Sequence, residues 1–321
     1  MKAVKFLFLL VAFLFVELAN GQEIKCKYCQ KPIIGDYIVV DGFKYHKNHF
    51  LCANCNKPIE GKYFTQNDKY YDEKCFENLF LPKCAVCNKP INGEYLIDSF
   101  GNKIHKHHEV EIERCDNCNR IISENTTNGG MKYNDGRKIC NVCYGKRINS
   151  TQEYKSALSK VIKRLKDYGL KFNESSISLK IVNLNELQQV SGSRYSKSIR
   201  GYTHTLIKTL GSKKTFEHTI YVLSMIPTKY AESTIAHELM HVWISENITK
   251  KLTPKLEEGS CNYISYIYLK SDYSQDAIDI IKQLKENTDK IYGEGYRKVF
   301  EQFNGREFNL FLNYLKTNTS I

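Results

Sequence analysis

The spacing of apolar residues changes along the chain and separates a β-rich first part from a helical second part. Short alternating stretches at Tyr37–Val40 and Tyr95–Ile97 predict small hairpin strands. From about residue 150 onward, apolar residues recur at the spacing of a helix face. That spacing begins with Ala157, Val161, Ile162 and Leu165.

The second part predicts one strand followed by helices. The strand is His218–Leu223, and the next element is a helix that contains His237. A second long helix begins near Pro254, with Thr253 as its N-cap residue, and the segment from about Asp276 is mostly helical. Strands followed by helices predict an α+β fold, in which a small sheet packs against helices.

An internal repeat divides the first part into two halves. The pattern Cys-x-x-Cys-x-Lys-Pro-Ile runs from Cys26 to Ile33 and again from Cys84 to Ile91. Neither half has enough apolar residues to fold alone, so each requires a staple. We therefore predict two modules at 22–82 and 83–147, each stapled by zinc, followed by one larger domain at 150–321.

Eleven of the twelve cysteines lie in these two modules, paired as Cys-x-x-Cys and interleaved with histidines. Two ligands separated by two residues can grip one tetrahedral Zn²⁺ from a tight turn. The predicted sets of ligands are Cys26, Cys29, His46 and His49; Cys52, Cys55, Asp72 and Cys75; Cys84, Cys87, His105 and His108; and Cys115, Cys118, Cys140 and Cys143. A disulfide cluster is the alternative, but eleven is an odd number and disulfides leave the histidines unexplained.

These spacings resemble the LIM domain, a double zinc finger. Two departures stand out. Asp72 occupies a position where cysteine is commonest, and six residues rather than two separate His108 from Cys115, with His107 competing as the ligand. The resemblance implies four structural zinc ions that stabilise the fold, and contact with a protein partner.

The segment Ile235–Trp243 carries an HExxH motif. At about 100° per residue, His237, Glu238 and His241 share one face of a helix, and the apolar residues occupy the other. Two histidines one turn apart can bind one catalytic Zn²⁺, with Glu238 as the general base of a metallopeptidase. The sequence thus predicts a zinc-dependent endopeptidase acting on a protein or peptide substrate.

The third zinc ligand is expected on the following helix. A helical Glu some fifteen to twenty-five residues after HExxH resembles the gluzincin peptidases, in which the ligand often directly precedes Gly. That resemblance implies Glu258, before Gly259; Glu257 is the alternative ligand, or otherwise a hydrogen-bond partner of a ligand histidine.

The order of motifs narrows the resemblance further. The chain resembles the plant DA-one-type LIM-domain metallopeptidases, which regulate organ size and are activated by ubiquitin. The resemblance lies in five features that follow one another along the chain: two LIM-like modules, Arg200–Thr203, the HExxH helix, Glu257–Cys261 and Tyr292–Arg297. Plant members carry ubiquitin-interacting helices at the N-terminus, where this chain has the segment that is predicted below to be a signal peptide. Activation by ubiquitin is therefore not carried over.

Some features of the active site stay open at this stage. The strand His218–Leu223 resembles the edge strand on which such peptidases lay an extended substrate. Four residues are conceivable donors to the oxyanion. They are Tyr263, Tyr292, Tyr296 and His218. A LIM adaptor with a catalytically silent peptidase-like domain is the alternative function.

The N-terminus and the charge bear on location and partners. Lys2 and Lys5 precede the apolar run Phe6–Val16, which predicts a signal peptide at 1–21 and export to the medium or a periplasm. Eleven apolar residues are too few for a stable membrane anchor. Eleven thiolates on four Zn²⁺ ions would lower the net charge from +12 to about +9. The lysines form no run that tracks a phosphate backbone, so no nucleic-acid partner is expected.

Overall fold

The computed structural model describes residues 23–192, 199–211 and 213–321. The chain divides into two compact units, Met1–Ile112 and Glu113–Ile321, which are described separately. The second predicted module, 83–147, contributes residues to both units.

The described residues of the first unit form three antiparallel hairpins and one short helix. Its elements are β1 (Tyr37–Val40), β2 (Phe43–His46), β3 (Tyr63–Gln66), β4 (Lys69–Asp72), α1 (Glu73–Phe80), β5 (Tyr95–Ile97), β6 (Lys103–His105) and a 3₁₀ turn (Lys106–Val110). The buried core around β1–β4 contains only seven residues, two of which are the cysteines Cys26 and Cys52. Such a small core needs a staple, as the sequence predicted.

The second unit carries the helices. Its elements are α2 (Glu124–Thr127), β7 (Gly130–Lys132), β8 (Lys138–Cys140), α3 (Asn141–Gly145), α4 (Thr151–Asp167), a 3₁₀ turn (Glu174–Ser176), β9 (Ile177–Val182), α5 (Leu184–Ser191), β10 (Gly201–Leu210), β11 (Lys213–Leu223), α6 (Thr228–Asn247), α7 (Pro254–Leu269), α8 (Gln275–Glu286), α9 (Tyr292–Phe303) and α10 (Phe308–Thr317). Together with the hairpins of the first unit, they confirm the predicted α+β class.

A three-stranded sheet in the order β10–β11–β9 packs against α6. Strands β10 and β11 are antiparallel, whereas β11 and β9 are parallel. The interpretation of His218–Leu223 as an edge strand is therefore wrong, because these residues lie in the central strand. Within the described residues, β10 and β9 are the two edge strands of this sheet, and β10 is the one that contacts Glu238.

Helices α6 and α7 form the centre of the second unit. The apolar residues of α6, including Leu239 and Trp243, are buried in the main core. Helix α7 begins as predicted, with Pro254 in its first turn and the Thr253 hydroxyl accepting a hydrogen bond from the Leu256 amide.

Helix α9 crosses α7 at backbone contact. A Cβ atom on Gly259 would lie 2.4 Å from the carbonyl carbon of Gly295, and one on Gly295 would lie 2.3 Å from the carbonyl oxygen of Lys255. Only glycine allows this approach, which brings the start of α9 next to the residues of α7 described below.

Candidate metal centre and active site

The two histidines of the HExxH motif lie one turn apart on α6, with ring centroids 5.2 Å apart. Glu258 on α7 faces both rings. Its Oε2 atom lies 3.2 Å from Nε2 of His237 and 3.5 Å from Nε2 of His241. These spacings match the edge of a tetrahedral zinc shell, about 3.3 Å for metal–ligand bonds near 2.0–2.1 Å.

The other ring nitrogens have acceptors of their own. His237 Nδ1 lies 3.0 Å from Asn262 Oδ1, and that amide is oriented because its Nδ2 donates to the Tyr292 carbonyl at 3.1 Å. His241 Nδ1 lies 3.2 Å from a carboxylate oxygen of Glu257. With a metal ion bound at Nε2, each imidazole would be neutral and would carry its proton on Nδ1, facing the acceptor there.

Two lone pairs and a carboxylate that face one another repel unless a cation lies between them, so the donor set fits a zinc ion. Burial opposes ionisation of Glu258, but hydrogen bonds and positive charge from the two histidine rings outweigh it and hold the pKa of this carboxyl well below that of an ordinary glutamate; a cation bound between the same atoms would act in the same direction. Glu258 is thus the carboxylate that faces both Nε2 atoms, whereas Glu257 supports His241 from behind.

Glu238 lies buried beside the histidines. Burial raises the pKa of its carboxyl, which is the direction expected of a general base that must hold a proton transiently. Thr203 on β10 donates a hydrogen bond of 2.8 Å to Glu238 Oε2. A Cβ on Gly201 would lie 2.7 Å from Oε1, so the first residues of β10 cover the carboxylate closely.

Sequence reasoning missed Cys261 and Asn262. The Cys261 sulfur lies within 4.8 Å of the ligand atoms of both His237 and His241. Burial raises the pKa of the Cys261 thiol to about 12. A signal was available, because residues three and four positions after Glu258 share its face of a helix.

Of the four candidate oxyanion donors, only Tyr292 is close to the histidines. Its ring stacks on that of His237 with centroids 6.5 Å apart, and burial together with the charge of Glu258 raises its pKa, so the hydroxyl stays protonated. His218 instead contacts Thr205 and Glu246. Tyr263 and Tyr296 pack among other aromatic rings.

The sixteen residues predicted as structural ligands gather into the four predicted groups, with His108 rather than His107 in the third. In the first group the sulfurs lie 3.5–3.6 Å from the imidazole nitrogens. In the second, Asp72 Oδ2 lies 3.2 Å from the Cys55 sulfur. Four sulfur, nitrogen or oxygen donors in each group are consistent with zinc binding, and the described cysteines form no disulfide.

Four of the five Cys-x-x-Cys pairs share one backbone geometry, whereas the fifth, Cys140–Cys143, begins helix α3. In those four pairs, the residue after the second cysteine has a positive φ, and its amide donates to the carbonyl of the first cysteine at 2.8–2.9 Å. These residues are Gln30, Asn56, Asn88 and Asn119. The repetition shows that local sequence shapes each turn to present two thiols on one side.

Comparison with known proteins matches two family models. Residues 26–80 match the LIM domain, and residues 175–280 match the DA1-like model described as Protein DA1. The LIM domain indicates protein partners. No helix in the described part of the chain is long and apolar enough to cross a membrane.

Plant proteins are among the relatives. The rice LIM domain-containing protein HDR3 is 24% identical over 91% of this chain and 72% of its own length. From Arabidopsis thaliana, Protein DA1-related 2 is 26% identical over 78% of this chain, and Protein DA1 is 22% identical over 63%. The chain spans only 54% and 43% of the lengths of these two Arabidopsis proteins.

These relatives contradict the predicted export. The signal peptide was inferred at 1–21, which lies outside the described residues, and the plant DA1 homologues are not secreted. A short apolar run after two lysines is only a compositional pattern, and the signal peptide predicted from it is wrong. The predictions of a signal peptide and of a secreted or periplasmic location are therefore withdrawn.

The LIM-domain match and the DA1-like match lie in one chain, which confirms the predicted resemblance: this is a LIM-domain protein with a DA1-like domain.

Proposed function

We propose that the DA1-like domain is a zinc-dependent endopeptidase, with one catalytic zinc held by His237, His241 and Glu258. The observation that carries this proposal is the convergence of two Nε2 atoms on one carboxylate oxygen, with Glu238 buried beside them. Zinc bound there would act as a Lewis acid and lower the pKa of a water molecule.

Glu238 would then act as the general base. It takes a proton from the attacking water and passes it to the departing amine, a role that its raised pKa suits. The hydroxyl of Thr203 holds Oε2, which fixes the direction of the carboxylate while the proton moves.

Tyr292 is the proposed donor to the oxyanion. It begins α9 beside His237, and its raised pKa keeps the hydroxyl proton available at neutral pH. Its main chain is tied to the same site, since its carbonyl accepts the Asn262 amide. The hydroxyl therefore extends from a backbone that the ligand network already fixes.

An extended peptide would bind along the free edge of β10. Backbone groups of an edge strand can pair with a substrate strand, and Thr203 places this edge next to Glu238. Farther along β10 the exposed side chains of Leu206, Ile207 and Leu210 offer apolar contacts. This favours unfolded or extended substrate segments with apolar residues.

The four remaining zinc ions would be structural. Each of the four groups supplies a complete set of four protein ligands, which leaves no position for chemistry and provides folding energy instead. The LIM modules would then serve protein contact or regulation.

Replacing Glu238 with Gln tests the enzyme hypothesis. Purified protein is incubated with a quenched fluorescent peptide library and an unfolded protein substrate, and zinc content is measured by mass spectrometry. We expect Glu238→Gln to retain about five zinc ions per chain and to lose cleavage. Cleavage by the variant at the rate of the natural protein would refute the proposal.

One observation favours the adaptor alternative. The Cys261 sulfur lies near both histidines, and a thiolate ligand could close the fourth position of the metal. In that case the natural protein would be inactive and Cys261→Ser would gain cleavage. Cleavage by the natural protein would exclude a site that is kept inactive by a Cys261 thiolate on the metal.

A further inference from the structure

The fourth cysteine cluster (Cys115, Cys118, Cys140 and Cys143) belongs to the same compact unit as the DA1-like domain. All four cysteines are buried and belong to the main hydrophobic core, which also contains residues of α4, α6 and α7. This cluster with the chain that joins its cysteines, residues 115–143, is called the finger below, and it is packed into the unit that carries Glu238.

Three side chains, one just before β10 and two on α8, bind the finger. Arg200 Nη2 donates to the Asn117 carbonyl at 2.6 Å, and Gln283 Nε2 donates to the Cys118 carbonyl at 3.2 Å. Asp279 pairs with Arg120 just beyond the turn. The first two bonds end on residues within the turn Cys115–Cys118, so the shape of that turn fixes where these donors lie.

Arg200 connects the turn to the catalytic helix. Its guanidinium lies over the ring of Tyr230 in α6, with the centroid 5.1 Å away, and Gln283 Nε2 lies 3.0 Å from the Tyr230 hydroxyl. The Arg200 carbonyl accepts the Leu223 amide at 2.8 Å, which anchors its main chain to β11. Arg200 is thus held at both its main chain and its side chain.

The next residues along the chain cover the general base. Gly201 begins β10 against Glu238, and Thr203 donates to the Glu238 carboxylate. Only two residues separate the arginine that binds the zinc turn from the threonine that orients the base.

We propose that zinc in the fourth cluster positions the general base through Arg200 and the start of β10. The metal fixes the turn, the Asn117 carbonyl fixes Arg200, and Arg200 fixes Gly201–Thr203 over Glu238. Arg200 is a positioning residue that touches neither substrate nor catalytic zinc. The effect on activity rests on the proposed peptidase function, whereas the coupling of the zinc turn to β10 does not.

The test compares Arg200→Gln with Arg120→Gln in the full chain. Both substitutions remove an arginine that links the finger to the DA1-like domain, but only Arg200 leads into β10. Hydrogen–deuterium exchange measures the protection of residues 201–206, mass spectrometry measures zinc, and steady-state kinetics separate kcat from KM.

We expect Arg200→Gln to retain all zinc, to lose protection at 201–206, and to lower kcat about 10- to 100-fold with KM within about threefold. Arg120→Gln should retain the protection and kcat of the natural protein. Equal effects of the two variants, or unchanged protection in Arg200→Gln, would overturn the coupling.

A third variant tests the metal itself. Cys143→Ser should release one zinc ion and expose residues 201–206 to exchange, and circular dichroism verifies that the helices remain. If that variant does not fold, the Arg200 comparison still decides. If the natural protein cleaves nothing, the peptidase proposal fails while the exchange data still test the coupling.

Discussion

The Thr203 hydroxyl donates a hydrogen bond of 2.8 Å to Oε2 of Glu238, from strand β10, which β11 separates from helix α6 along the chain. Glu238 is almost inaccessible to solvent, so this donor takes over part of the stabilisation that water gives an exposed carboxylate. The contact joins the edge of the sheet to the proposed base.

Replacing Thr203 with Val removes the hydroxyl that donates to Glu238 and keeps the shape of the side chain. A hydrogen bond to a carboxylate stabilises its ionised form, so the loss raises the pKa of Glu238 further. The base must be ionised to accept a proton, so the acidic limb of the kcat/KM profile should move to higher pH. A charged hydrogen bond of about 1.5–3 kcal/mol corresponds to a shift of about one to two pH units.

Thr205→Val is the matched control on the same strand. The Thr205 hydroxyl lies 2.9 Å from His218 Nδ1, so its hydrogen-bond partner is His218 rather than Glu238. The acidic limb of the kcat/KM profile of Thr205→Val should stay at the pH of the natural protein. If both variants shift the limb equally, the hydrogen bond from Thr203 is not the cause.

Zinc content distinguishes the two adjacent glutamates. Glu258→Gln removes the anion that faces both Nε2 atoms and should cost the chain the zinc ion proposed at this site after dialysis against a weak chelator. Glu257→Gln retains an amide oxygen that can accept the His241 Nδ1 proton, so affinity should fall by no more than about tenfold. The opposite pattern would assign the ligand to Glu257.

Tyr292→Phe tests the oxyanion donor. Loss of one such donor lowers kcat about 10²- to 10³-fold, and KM and zinc content should change little because the ring remains in place. Tyr296→Phe on the same helix is the control, since the Tyr296 hydroxyl is buried without a hydrogen-bond partner. Normal turnover by Tyr292→Phe would remove this residue from the mechanism.

The sequence predicted those parts of the site that depend on local spacing. Cysteines two residues apart form their turn without help from the rest of the chain, and His237 and His241 share a face of any helix. The four metal-binding groups and the start of α7 followed from such patterns.

The missed parts depend on contacts between distant segments. Thr203 lies 35 positions from Glu238 in sequence, and its strand β10 is mostly exposed, so it has little apolar pattern to reveal it. Tyr292 reaches the site because α9 crosses α7 at two glycines. Its selection among four candidates required that crossing, which no local pattern shows.

The same crossing gives the last prediction. Gly259→Ala would place a methyl group 2.4 Å from the Gly295 carbonyl carbon, and two backbones cannot yield as a flexible side chain can. Helix α7 must move away from α9, and Glu258, the preceding residue, moves with it. We expect a loss of about 1–3 kcal/mol in the free energy of unfolding and weaker binding of the zinc ion proposed between α6 and α7.

Gly145→Ala is the control for this substitution, because nothing lies within 4 Å of the new methyl group. Chemical denaturation and chelator competition measure the two effects; a Gly259→Ala protein with natural zinc affinity would show that the ligand geometry does not depend on this crossing.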